Sequence, residues 1–138
     1  ARRAIVTREW LEAGIPVALG SDAPSTPWSS PLATLIGAVT RATFSGQVHE
    51  PDQALTPYEA LRAHTWAAAY AAHEEGIKGS IEAGKLADLI VWSVDPTQST
   101  AQELWDSTIE LTMVDGEIVH QGGNTALAPR RARDLWAG

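Results

Sequence analysis

The chain has no cysteine among its 138 residues. Disulfides and thiolate metal sites are therefore excluded, and redox compartment cannot be read from thiol usage. No apolar run approaches the roughly 18 residues that a membrane span requires, and no signal-peptide pattern is present. A cytoplasmic protein with no membrane partner is the expectation. Basic charge is scarce. A formal net charge of −7 argues against a nucleic-acid surface, which needs clustered Lys and Arg. The one tight basic cluster, Arg130, Arg131 and Arg133, reads as a solvated helix face in the tail. Also lacking are His-x-His and His-x-x-x-His pairs, a Gly-rich phosphate loop before a helix, and a Gly-x-Ser-x-Gly elbow. There is no internal repeat and no low-complexity segment.

What remains is an ordinary globular composition, 44% apolar, long enough for one domain with a real core. Residues 7–13 read as the end of a helix, with Thr7 as its cap and Gly14 in the left-handed position after its last turn. Residues 15–19 (Ile-Pro-Val-Ala-Leu) are a short continuous apolar run, as expected for a strand buried on both faces. Pro16 lies at its first residues, where a missing N–H does least harm. A proline-rich loop runs to Ser30. There Ser30 is the expected cap and Pro31 the first residue of a helix carrying Leu32, Leu35, Ile36 and Val39.

After a second loop, Thr56-Pro57-Tyr58-Glu59 combines an N-cap, a proline at the first helical position and a capping-box glutamate. One Ala-rich helix is expected from there to His73. The last third changes character. Residues 87–92 read as a strand, and Thr100-Ala101-Gln102-Glu103 as a weaker capping box before a short helix. Asp115-Gly116 lies between two alternating segments as a hairpin turn, since both residues tolerate positive φ. A short helix is expected at residues 131–136. The fold class is α/β: a parallel layer first, then a separate antiparallel piece. The boundary falls near Gly76 to Ser80. The expected divisions are residues 1–76, 77–121 and a tail, 122–138.

Asp22 is the first candidate for chemistry. It follows the apolar run, at the carboxyl end of a strand, where α/β folds bind their ligands. A carboxylate there can hold a cation and move a proton; equally, it can cap a turn. His64 and His73 are nine residues apart on the expected helix and cannot chelate one ion together. With His49 and His120 they read as ordinary polar or half-buried histidines.

Taken in order, Gly20-Ser21-Asp22-Ala23-Pro24, the helix from Pro31 to Arg41, Leu55-Thr56-Pro57-Tyr58-Glu59-Ala60-Leu61 and residues 65–72 form a pattern. Gly79-Ser80-Ile81-Glu82-Ala83-Gly84-Lys85-Leu86-Ala87-Asp88-Leu89-Ile90-Val91 and Val114-Asp115-Gly116-Glu117-Ile118-Val119 complete it. The whole resembles the C-terminal region of the amidohydrolase superfamily, in its YtcJ-like branch, amidohydrolase family 3. The resemblance covers about residues 5–121, and the segment from Gly79 is its most specific marker.

The resemblance implies the last part of a (β/α)8 barrel joined to the C-terminal strands of a β-sandwich, with residues 15–19 as the eighth barrel strand. It implies that Asp22 is both a metal ligand and the proton shuttle, and that Trp28 and Ser25 lie on a loop touching substrate. The metal, expected to be zinc, lowers the pKa of bound water from 15.7 to about 7. The resulting hydroxide attacks the C–N carbon of an amide or cyclic amide. On the same resemblance, the remaining ligands fall before Ala1, and none of the four histidines matches one. Catalytic zinc needs about three protein ligands. The expectation is therefore a chain that binds no metal and is inactive alone, and that forms a homo-oligomer or lacks an N-terminal portion. A stand-alone structural or partner-binding module is the alternative.

Overall fold

The computed structural model describes residues 5–23, 30–43 and 45–122. The expected helix at 131–136, the cluster of Arg130, Arg131 and Arg133, and the loop candidates Ser25 and Trp28 lie outside the described residues.

Helix α1 spans Thr7–Glu12, and Gly14 takes the expected left-handed turn at φ 76°. Thr7 is not the cap. Val6 holds that position, and Thr7 lies inside the helix, buried, donating its hydroxyl to the Gln53 carbonyl at 2.9 Å. One residue past the cap, its side chain is out of place for the first-turn N–H groups that a cap serves.

The run at residues 15–19 is not a ladder-paired strand. Among the described residues it has no strand partner, and its one interior backbone bond runs from Leu19 N–H to the Ala63 carbonyl at 3.1 Å. Only Val17 is buried, and Ile15 keeps 51% of its surface exposed. A strand exists only through a neighbour that accepts its backbone groups. The apolar pattern does not supply that neighbour.

Helix α2 spans Pro31–Thr40, with proline at the expected position and Arg41 closing it at φ 56°. Ser30 precedes it in extended conformation but makes no side-chain cap bond. A single 3-10 turn, Pro51–Gln53, leads to α3 (Pro57–His64), whose capping box is complete. Thr56 Oγ1 accepts the Glu59 N–H, and the Glu59 carboxylate accepts the Thr56 N–H. The single helix expected to reach His73 breaks at Thr65 (φ −115°, ψ −89°), and α4 covers only Trp66–Ala71. Thr65 donates its hydroxyl to the Leu61 carbonyl at 2.9 Å, the kind of back-bond by which a mid-helix threonine bends the chain. His64 and His73 therefore do not share a helix.

Gly79 marks the crossing into the last third. Its φ is +89°, and a Cβ there would sit 2.6 Å from Ala69 Cβ and 3.1 Å from Trp66 Cα. Only glycine combines that conformation with so close an approach to α4. The turn that follows is closed by Lys85, whose ammonium donates to Ser80 Oγ at 2.6 Å and to Glu82 at 3.2 Å.

Strand β1 (Leu89–Trp92), helix α5 (Ala101–Asp106, capped by a complete Thr100–Glu103 box), strand β2 (Ile109–Val114) and strand β3 (Glu117–Gln121) complete the fold. The sheet is antiparallel in the order β1-β2-β3, with Leu89 opposite Met113 and Met113 opposite Ile118. The hairpin turn has positive φ at both Asp115 (49°) and Gly116 (81°), as its sequence requires. Asp88 accepts the Asp115 N–H at 2.8 Å, which ties the hairpin tip to the start of β1.

The core joins the helical and sheet regions. Leu35 and Ile36 of α2, Leu55, Ala60 of α3 and Leu104 of α5 form one buried cluster. Leu19 from the unpaired run and Trp92 from β1 both pack against it. The described residues thus mix helices with one antiparallel sheet, consistent with an α/β chain.

Candidate functional site

Asp22 follows the apolar run and is exposed, with φ at 55°. Positive φ is uncommon outside glycine; Asp and Asn tolerate it best, because their short polar side chains bond locally. The carboxylate therefore stands at the end of a segment whose backbone turns sharply just before the proline-rich loop. Ser21 beside it is half-buried.

Below this segment Val17 faces a small cavity of about 40 Å³, lined also by Leu11, Glu59, Arg62, Ala63 and Ala67. It has room for water but is far below the roughly 300 Å³ of a small-molecule site. Glu59 in its wall is committed to structure. Arg8 donates two bonds to it, each 2.7 Å, and a third to the Ala54 carbonyl at 2.8 Å. These bonds, with those from Thr56, hold the Glu59 carboxyl down at about 2 despite its partial burial, and the bond to Glu59 in turn raises the Arg8 guanidinium above its ordinary value. A carboxylate so firmly ionised is a poor proton acceptor at neutral pH.

The histidines are dispersed. His49 is exposed after the Ala42–Val48 bridge, His64 ends α3, His73 is exposed beyond α4 at φ 59°, and His120 sits in β3. Among the described residues no three His, Cys, Asp or Glu side chains come together in a way that could hold a metal ion. Asp22 alone does not fit one. No helix among the described residues is long and apolar enough to cross a membrane.

Three polar arrangements were not anticipated from sequence. The capping box announces Glu59's bond to Thr56 but carries no signal for Arg8, 51 residues away. Gln53, 1% exposed, is held by its bonds to α1, yet nothing in its sequence surroundings marks it as buried. Thr34 and His64 meet at 2.7 Å across two helices.

The sequence model described as the Amidohydrolase family matches residues 1–120. The chain belongs to the amidohydrolase family. Among its relatives, the N-substituted formamide deformylase of Arthrobacter pascens is 40% identical over 114 residues, covering 83% of this chain and 21% of the relative. The imidazolonepropionase of Shouchella clausii (strain KSM-K16) is 35% identical over 116 residues, covering 84% and 24%. The crystal structure of an amidohydrolase from Thermotoga maritima MSB8 superposes with a TM-score of 0.59 at 27% identity, covering 84% of this chain and 26% of that one. The chain therefore spans about a fifth to a quarter of the length of these relatives.

Proposed function

We propose that this chain is the C-terminal part of a hydrolase acting on the C–N bond of an amide or cyclic amide, and that Asp22 is its reacting carboxylate. In such a hydrolysis the oxygen of water bonds to the carbon, the C–N bond breaks, and the nitrogen leaves with a proton. Asp22 takes that proton from water and delivers it to the nitrogen. The observation that carries this reading is the exposed, positive-φ Asp22 inside the stretch matched to the family. The name of the 40%-identical relative, a deformylase of N-substituted formamides, supports a C–N bond as the target. A divalent cation, zinc in our reading, belongs to the assembled site. Its other ligands come from outside the described residues. Ser25 and Trp28 are the proposed substrate contacts of the same loop.

Residues 1–76 are read as the last βα portion of a barrel, 77–121 as a partial β-sandwich and 122–138 as a tail. Ile90, Val91, Ile118 and Val119 are each 46–61% exposed, which leaves apolar side chains uncovered on both faces of the sheet. We propose that a second copy or the remaining part of a barrel covers them. A chain that sediments as a stable monomer at micromolar concentration contradicts self-association.

The test of function is release of formate from an N-substituted formamide. The chain alone is expected to run at the buffer rate. In any longer polypeptide or assembly that contains it, Asp22→Asn should cost about 10²–10⁴-fold. An unchanged rate in Asp22→Asn overturns the reading.

A further inference from the structure

His64 and Thr34 make three contacts that one neutral ring and one hydroxyl cannot all satisfy. His64 Nδ1 lies 2.9 Å from the Ala60 carbonyl. A carbonyl only accepts, so Nδ1 carries a proton, and in the neutral ring Nε2 is a bare acceptor. Thr34 Oγ1 lies 2.7 Å from that Nε2 and 2.9 Å from the Pro31 carbonyl, a second pure acceptor. The hydroxyl has a single proton to give to two acceptors.

We propose that His64 and Thr34 form a proton-reversible latch between the first turn of α2 and the last turn of α3. With the ring neutral, Thr34 donates to Nε2 and the Pro31 carbonyl goes without this bond. With the ring protonated, Nε2–H donates to Thr34 Oγ1, and the hydroxyl proton turns to Pro31. The contact persists while its direction reverses, and protonation adds one hydrogen bond at the start of α2, where the loop after Asp22 ends.

The other ionisable groups around this junction come from the elements packed about it. Helix α2 carries no ionisable side chain. On α3, Glu59 is bound by Arg8, and Arg62 lies 3.8 Å over the Trp66 ring. Helix α4 adds Tyr70, which stacks on Trp66. The segment leading to the loop brings Asp22. Helix α5, packed on α2 through Leu104, brings Glu103, bonded to Thr100, and Asp106, bonded to Gln102. The latch is independent of any role for Asp22 in hydrolysis.

The experiment is ¹⁵N–¹H correlation of the His64 ring in the full chain, across about pH 8 to 5, where imidazole takes up its proton. The expected neutral form has Nδ1 protonated and Nε2 bare. The expected acid form has both nitrogens protonated, with an Nε2–H slow to exchange with solvent. That protection is lost in Thr34→Val and kept in Thr34→Ser. A neutral ring protonated at Nε2, or an acid-form Nε2–H that exchanges as fast as that of a free imidazole, overturns the latch. Both readings come from the wild-type chain, so a Thr34→Val variant that fails to fold leaves the test intact.

Discussion

Residues 15–19 and Leu89–Trp92 are short apolar runs of the same kind, and they end in different states. The second is strand β1, paired residue by residue with β2. The first has no strand partner among the described residues, and Leu19 leans on α3 through one backbone bond. Both send a side chain, Leu19 and Trp92, to the same core cluster. The difference lies in where a partner can come from. Strand β2 follows β1 after one short helix and is pinned by its own hairpin, so the ladder assembles within about 30 residues of chain. Among the described residues, the backbone bonds of the first run go to helices α1 and α3. An apolar pattern selects an extended backbone; pairing is a property of what else is nearby.

The largest way to break the comparison is to remove what both runs rest on. Leu104 is fully buried at the centre of their shared cluster. Leu104→Ala should destabilise the chain by about 2–5 kcal/mol, measured by urea unfolding, and loosen both runs together. If it loosens only the sheet, the shared core is refuted.

A second change separates the two regions. Gly79→Ala places a methyl against Ala69 and the backbone of Trp66 at a positive φ, for an expected loss of about 2–4 kcal/mol. Gly116 also has positive φ, but a Cβ there meets nothing within 4 Å. Gly116→Ala should therefore cost only about 1 kcal/mol. Equal losses would show that conformation, and not the approach to α4, governs Gly79.

A smaller effect fastens the helices behind the unpaired run. The Glu59 carboxyl, about 2 in the folded chain against 4.5 for a free group, contributes stability that is complete above pH 4.5. That stability is lost as pH falls toward 2. Its ceiling is about 3 kcal/mol, and partial exposure of both partners brings this to about 1–2 kcal/mol. Acid unfolding of Glu59→Gln should lack this component. An unchanged acid profile would mean the Arg8 bonds contribute nothing.

What was legible in sequence is what neighbours in the chain decide. The Thr56–Glu59 and Thr100–Glu103 boxes and the Asp115-Gly116 turn rest on contacts within a few residues, and strand β1 on a ladder to β2 across one short helix. Thr7 misled because the helix starts from Val6, one residue earlier, with Thr7 buried and donating to Gln53, 46 residues away. The helix expected to reach His73 misled because a single β-branched hydroxyl at Thr65 outweighed a run of alanines. At the candidate site, sequence singles out Asp22 by its position after the run and its family pattern, and its chemical role is the proposal made above. Its positive φ, the Arg8 clamp on Glu59 and the Thr34–His64 contact are tertiary facts with no local signal.

On the proposed reading, Asp22 acts only with ligands supplied from outside this chain. The most direct test is metal content per chain by elemental analysis after dialysis, for the wild-type chain and for Asp22→Asn. The account predicts no metal above background in either. Near-stoichiometric zinc in the wild type that disappears in Asp22→Asn would contradict it, because the chain would then be building a metal site of its own.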